Sequence, residues 1–305
     1  MNEITARVPA TSANMGSGFD SLGIALKLYN YVTVKKTESG LKITDVDNPD
    51  SFLPKDTSNL VFQGINMVAS RSGNKLCGLD IQLKNNIPSS RGLGSSSAAI
   101  VGGLVAGNAL FDFPFDNSQL LNFAAELEGH ADNVAPALLG GFTTSVMKRQ
   151  DVKCIKNNLK DDIKFAVFVP DFRLRTKRAR MVLPRIVPFS DAVYNTSRSA
   201  LLSASLISGD YSHLRVAVSD RLHQNYRKRF IPGFDEILRL SYQNGALGAY
   251  LSGAGPSVLA IIKSDNVDFN ARISGVLNKK LTHWQLHIFD ADNEGACIIN
   301  KLEVL

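Results

Sequence analysis

The residues best suited to chemistry lie at 88–99, PSSRGLGSSSAA, where a glycine turn leads into three consecutive hydroxyl side chains directly before a long apolar run. Gly92 and Gly94 can take backbone torsions and close approaches that a β-carbon forbids, and Ser95, Ser96 and Ser97 can cap a helix starting there. Such a turn presents free backbone N–H groups beside the positive end of a helix dipole, and the anion most often held there is a phosphate. Two other phosphate patterns are excluded: no Lys follows the second glycine, as a Walker loop requires, and Ser97 stands where the dinucleotide fingerprint has its third glycine. The composition alone suits an ordinary loop capping a core helix equally well.

A second concentration of reactive groups is EGHADNVAPALLGG, residues 128–141. Glu128, His130, Asp132 and Asn133 fall within six residues at an expected helix end, closed by Pro136 and the Gly140-Gly141 pair. Carboxylate, imidazole and amide at this density suit a hard cation and the orientation of a hydroxyl, and they also suit a polar surface turn. A third candidate is Asp20, a lone carboxylate in a loop containing Gly16, Gly18 and Gly23, where turn-forming is the commoner role. Two basic clusters, Arg173, Arg175, Lys177, Arg178, Arg180 and Arg185, then Arg221, Arg227, Lys228 and Arg229, lack interleaved stacking aromatics, so most of them read as a solvated face.

The elements that must position these groups follow from patterning. Short β-forming stretches are expected at 5–8, 24–36 and 41–46, the last pairing with the second. A helix start at Asp56, Thr57 and Ser58 precedes apolar positions at helical spacing, and a strand at 76–83 leads into the glycine turn. Residues 100–110, apolar or small on every side, read as a buried helix that holds its N-terminus still. Asn117 or Ser118 caps a further helix ending at Glu128. After the strand GFTTSVM, the polar stretch KRQDVKCIKNNLKDD is the best domain boundary. Strands at 163–169, 246–251, 258–263, 284–289 and 296–302 alternate with helices at 191–208, after Asp210, over 232–245 with Pro232 in the first turn, and at 267–281.

With 305 residues and 44% hydrophobic content the chain can bury a substantial core, and two domains are expected. Cys77, Cys154 and Cys297 are too scattered for a metal site or a disulfide framework, so they read as reduced packing residues of a cytoplasmic protein. The N-terminus lacks a secretory pattern and no apolar run reaches the roughly 20 residues of a membrane span, so no membrane association is expected. The net charge of +6 suits an anionic ligand.

Six blocks, in order, resemble the homoserine kinases of the GHMP small-molecule kinase superfamily: VPATSANMGSGFDSLGIAL, GLGSSSAA, EGHADNVAPALLGG, RTKRAR, DRLHQNYRKRFIPGF and LSGAGPSV. The pattern Pro-x-x-x-Gly-Leu-Gly-Ser-Ser of their phosphate loop matches Pro88, Gly92, Leu93, Gly94, Ser95 and Ser96. Met15, Ser17 and Arg175 depart from the commoner residues and touch only local loop detail. The other superfamily kinases, acting on mevalonate or a diphosphocytidyl polyol, share the phosphate and late glycine loops. Their acceptors carry no ammonium for Asp20. A catalytically dead regulatory or nucleic-acid-binding relative is disfavoured by Glu128, Asp132 and the intact loop.

The resemblance implies an α+β, two-domain GHMP kinase fold. Residues 1–155 would form a nucleotide-binding domain like the second domain of ribosomal protein S5, and 156–305 a ferredoxin-like domain. It implies ATP and Mg²⁺ as cofactors, L-homoserine as acceptor and no nucleic-acid partner, and it leaves room for a homodimer. By carry-over, Pro88, Ser89, Ser90, Arg91, Gly92, Leu93, Gly94, Ser95, Ser96, Ser97 and Ala98 hold the nucleotide, with Asn59 at the adenine. Glu128 and Ser97 would hold the metal, while Glu128, Asp132 and Ser96 serve catalysis, Asp132 as a positioning residue first. Asp20, assisted by Asn14 and Asn133, would take the ammonium, Arg180 and Arg227 the carboxylate, and His130, Thr176 and Gly253 would line the same pocket.

Overall fold

The computed structural model describes residues 3–48, 53–149 and 151–300. A run of β-branched and aromatic residues becomes the fifteen-residue strand β2 (Leu22–Lys36), the spine of the first sheet. It pairs along its length with β1 (Ile4–Ala13), which extends well beyond the expected 5–8 into the loop-like PATSA segment. Pro9 cannot donate to a ladder, and the register shifts between Pro9 and Ala10, as a bulge at proline requires. The strand β3 (Gly40–Asp45) does not pair with β2: residues 30–36 of β2 are held by β4 (Gly78–Asn85), so β3 pairs in parallel with the far edge of β4.

Three helices follow, each with a cap other than the one expected. The helix α1 (Leu60–Arg71) starts after Asn59, whose side chain accepts from the Val61 N–H, while Asp56 instead closes a turn onto Ser58. The helix α2 (Ser95–Leu110) begins at a left-handed Gly94, and its serines make no side-chain cap. Asp116, in a reciprocal capping box with Gln119, starts α3 (Asn117–Glu128). A short helix, α4 (Val134–Leu139), absorbs Pro136 in its first turn.

The hairpin of β5 (Phe142–Lys148) and β6 (Asp151–Asn157) joins the first sheet through β2. The strand β6 lies within the polar stretch and spans the expected division at 155/156. Near the end of the described residues β11 (Cys297–Ile299) returns to pair with β1, covering the edge opposite β2. Residues 301–302 of the expected last strand lie outside the described residues.

The second sheet consists of β7 (Ile163–Pro170), β8 (Gly248–Leu251), β9 (Val258–Lys263) and β10 (Trp284–Phe289), antiparallel in the order β10-β7-β9-β8. Numbered among themselves these strands run 4-1-3-2, the expected ferredoxin-like order. Between β7 and β8 lie α5 (Thr176–Met181), α6 (Phe189–Ser208), α7 (Leu214–Ala217), α8 (Gln224–Arg227) and α9 (Phe234–Gln243). Pro232 precedes α9 rather than sitting in its first turn, because Gly233 is the cap. The helix α10 (Phe269–Lys280) joins β9 to β10.

Side chains on β7 and β9 alternate between two cores, as a period of two demands of strands covered on both faces. Phe165, Val167, Leu259 and Ile261 join the main core with Val8, Ile24, Leu104 and Leu138 of the first sheet and its helices. Ala166, Phe168, Ala260 and Ile262 pack with Ile237, Phe269 and Trp284 on the other side. One core therefore runs through both sheets. Cys77 is exposed, against the expectation of a packing role, while Cys154 and Cys297 are partly buried and all three are free thiols. Among the described residues no helix is long and apolar enough to cross a membrane.

Small residues bring α1 onto the buried α2: a Cβ at Gly103 would lie 2.2 Å from the Val61 carbonyl oxygen. Gly103→Ala gains up to about 1 kcal/mol in helix propensity, but overpacking against backbone costs about 1–3 kcal/mol, so a lower melting temperature is expected. Gly275→Ala, on exposed α10 with nothing near its Cβ position, should raise it. Thermal denaturation of the two variants checks this close approach, and equal stabilisation of both would contradict it.

Candidate active site

A loop between β4 and α2 lies where the two sheets meet, and its backbone carbonyls from Ser89 to Gly94 are all engaged. Ser89 O accepts from Arg91 Nη1 (3.3 Å), Ser90 O from Leu174 N (3.1 Å), Arg91 O from Ser257 N (3.3 Å) and Gly92 O from Ser252 Oγ (2.6 Å). Leu93 O accepts from Thr11 N (3.1 Å) and Gly94 O from Ala98 N (2.8 Å). With the acceptors turned outward, the amides of the loop and of the first turn of α2 are left facing a cleft, which Gly92 and Gly94–Ser97 line. Gly92 and Gly94 have φ of +74° and +69°, and a Cβ at 94 would fall 1.9 Å from Thr11 Oγ1. Arg91 fixes the loop further, donating from Nε to Pro170 O (2.9 Å) and from Nη2 to Asp171 O (2.7 Å). The sixteen-residue α2 points the positive end of its dipole into the same cleft.

Glu128 enters the cleft from the last residue of α3, where left-handed Gly129 ends the helix. Its Oε1 accepts from both Ser96 Oγ (2.6 Å) and Ser97 Oγ (2.9 Å), so the serines serve this carboxylate rather than capping α2. Two residues on, His130 Nδ1 lies 2.9 Å from Oδ1 of the buried Asp132. Burial opposes protonation of His130, but Asp132 and Glu128 outweigh it and raise its pKa above the ordinary value. Asn133 Oδ1 accepts from Thr11 Oγ1 at 2.8 Å.

The opposite wall joins the loop after β1 to helices of the second half. Asp20 takes a positive φ of +54°, its N–H held by Asn14 Oδ1. Its carboxylate is gripped by both terminal nitrogens of Arg180 on α5, at 3.0 and 2.6 Å. The residues expected at opposite ends of an acceptor are thus bonded to each other. Burial works against the Arg180 cation, yet Asp20 more than offsets it and raises the pKa. Among the described residues Arg227 is the largest fully buried side chain, and its hydrogen bonds there run only to neutral groups: Ala179 O (3.2 Å), Gly253 O (3.1 Å) and His223 Nδ1 (3.2 Å). Desolvation, with repulsion from Arg180, lowers its pKa to about 10 despite Asp20, Asp132 and Asp220. The Phe19 ring lies between these cations, 5.2 Å from the Arg227 guanidinium carbon and 5.6 Å from that of Arg180.

The cleft brings together Asn14, Ser90, Arg91, Gly92, Gly94, Ser95, Ser96, Ser97, Glu128, His130, Asp132, Asn133, Thr176, Arg180, Arg227 and Gly253. Asp20 joins through Arg180. Pro88, Ser89, Leu93 and Ala98 stand outside the lining, the last two buried beneath the loop. Asn59, expected at the adenine, also stands outside it, and its carboxamide bonds to Val61 N and Pro54 O. Sequence reasoning missed Phe19, His223 and Ser252, although all three lie inside the blocks that carried the resemblance.

Residues 59–141 match the family described as GHMP kinases N terminal domain, and 201–272 match GHMP kinases C terminal. The homoserine kinase of Clostridium beijerinckii is 46% identical over 97% of this chain and 98% of its own length. That of Caldicellulosiruptor saccharolyticus is 44% identical over 97% of each. The chain belongs to the homoserine kinase family. The crystal structure of a homoserine kinase from Cytophaga hutchinsonii superimposes with a TM-score of 0.86 at 30% identity, covering 98% of each chain. The anchored loop lies within the segment matched by the N-terminal family model, and a helix N-terminus with free amides is suited to hold an anion.

Gly94→Val should weaken nucleotide binding, reducing affinity for a non-hydrolysable ATP analogue by about tenfold or more, since the branched side chain strains the left-handed torsion and collides with Thr11, displacing the loop. Calorimetry checks this on a variant with a native circular dichroism spectrum, and undiminished affinity there would make the loop a helix cap alone.

Proposed function

We propose that the protein transfers the γ-phosphoryl group of ATP to the side-chain hydroxyl of L-homoserine, giving O-phospho-L-homoserine on the route to threonine. The observation that carries the acceptor assignment is Arg227, a buried guanidinium bonded only to neutral groups. A buried cation without an anion is costly, and Nη2, which none of these bonds uses, is left to donate to a carboxylate. Beside it the Asp20–Arg180 pair can exchange one ion pair for two: the acceptor ammonium onto Asp20, its carboxylate onto Arg180 and Arg227. Asn14 and Asn133 support the ammonium end, and His130, Thr176 and Gly253 line the space between.

At the other end, the loop amides and the α2 dipole receive the triphosphate. Mg²⁺ ordinarily takes one or two carboxylates, with substrate phosphates and water completing its shell. Glu128 with the Ser97 hydroxyl fits that donor set, and among the described residues no group of three His, Cys, Asp or Glu could hold an ion without the nucleotide. When bound, the ion neutralises charge on the phosphate oxygens. Ser96, through its bond to Glu128, keeps that carboxylate at the loop. Asp132 orients the acceptor hydroxyl, helped by His130. Phosphoryl transfer depends mainly on such placement and charge neutralisation.

Asp20→Asn and Arg227→Leu should each weaken homoserine use far more than ATP binding. Loss of one charged hydrogen bond in a partly buried site costs about 2 kcal/mol or more, roughly 30-fold in kcat/KM. 4-Hydroxybutyrate, which lacks the ammonium, should be a poor acceptor for the wild type and recover relative to homoserine in Asp20→Asn, with no recovery in Arg227→Leu. A coupled ADP-release assay reads all three. Wild-type enzyme that phosphorylates 4-hydroxybutyrate as well as homoserine would remove Asp20 from the ammonium site.

A further inference from the structure

One buried titratable side chain has no part in the reaction outlined above. His223 is fully buried immediately before α8, one helical turn from Arg227. Its Nε2 lies 2.7 Å from Gly16 O, an atom that can only accept, so the ring proton resides on Nε2. Nδ1 is left with a lone pair, and that lone pair is aimed at Arg227 Nη1, 3.2 Å away. The ring also stacks on Phe19, with centroids 5.2 Å apart, and Phe19 in turn faces the guanidinium groups of Arg227 and Arg180.

We infer that His223 is a positioning residue for acceptor binding: as the neutral Nε2–H tautomer it fixes the Arg227 guanidinium so that its remaining donors meet the acceptor carboxylate. The inference rests on the acceptor reading above. The surrounding charges favour this state. Burial pushes the imidazole below its ordinary pKa, and Arg227 reinforces this against the opposing pull of Asp220 and Asp20. Asp220 is 3.8 Å from Nε2, but its carboxylate is occupied by the backbone N–H groups of Leu222, His223 and Gln224 and by Asn195 Nδ2. It therefore holds the chain that carries the ring rather than the ring itself. Asn195 Nδ2 also reaches Ser17 O, and Ser17 Oγ donates to Ala217 O. This network ties the loop bearing Asp20 to the segment bearing Arg227, so both ends of the acceptor are referred to one frame. A protonated His223 would set a donor against a donor and add a third positive charge beside Arg227 and Arg180.

The test compares two substitutions. His223→Gln keeps a donor toward Gly16 and withdraws the acceptor from Arg227, whereas His223→Asn sets an amide oxygen near the position of Nδ1. For His223→Gln the KM for homoserine should rise by about tenfold or more, with kcat and the KM for ATP changed by less than about threefold, and His223→Asn should recover most of the loss. A KM for homoserine within about twofold of wild type in His223→Gln, or equal increases in both KM values, would overturn the inference. A wild-type enzyme that fails to phosphorylate homoserine would instead overturn the proposed reaction. If His223→Gln does not fold, ¹⁵N chemical shifts of the histidine rings in the wild-type protein decide the point. The neutral Nε2–H tautomer between pH 6 and 8 is expected at His223, and an Nδ1–H or doubly protonated ring there would refute the role.

Discussion

Every carbonyl from Ser89 to Gly94 accepts a hydrogen bond, and the donors come from the loop itself, from both sheets and their connections, and from the following helix. Backbone polar groups in a partly buried loop must be paired, so engaging the acceptors elsewhere determines which way the donors face. The remainder of the fold can be understood as supplying those donors. The bulged end of β1 brings Thr11, the strand β7 leads to Leu174, and the turn between β8 and β9 brings Ser252 and Ser257. None of these anchors comes from an independent domain, because the main core runs through both sheets. Separating the two halves would release the loop.

Electrostatics shapes the other wall. The structure keeps Arg227 charged in a buried position while giving it only neutral partners, and it neutralises Arg180 on Asp20. Burying a cation in this way stabilises nothing by itself. It makes sense as preorganisation, in which desolvation is met during folding and repaid when an anion arrives. The left-handed torsions of Asn14, Met15 and Asp20 fit the same account, since strained backbone persists where surrounding contacts over-determine it.

The glycine loop before α2 and the Glu128–Asn133 segment, which line one cleft, were legible in the sequence because their groups are local: glycines, serines and carboxylates stand next to one another along the chain. The succession of strands and helices in the second half was legible through the alternation of apolar strands and amphipathic helices, whereas the order of its sheet was expected only from the resemblance. What escaped depends on partners far apart. β6 is too polar to announce itself and exists because β5 offers an edge. The pairing of β11 with β1 spans nearly the whole chain and carries no local signal. The capping of α1 by Asn59 was missed because Asp56, Thr57 and Ser58 offered equally good caps along the chain. The Asp20–Arg180 bond joins residues 160 positions apart, and the role of His223 rests on a lone pair fixed by Gly16.

The central claim is that the anchored loop turns its amides toward the nucleotide phosphates, and amide NMR reads those groups directly. When ¹⁵N-labelled protein is titrated with a non-hydrolysable ATP analogue, the largest amide shifts should fall at Gly92 and Gly94–Ser97, displaced downfield as each N–H gains a charged acceptor. Saturable binding whose largest shifts lie elsewhere, with these amides unmoved, would contradict the account.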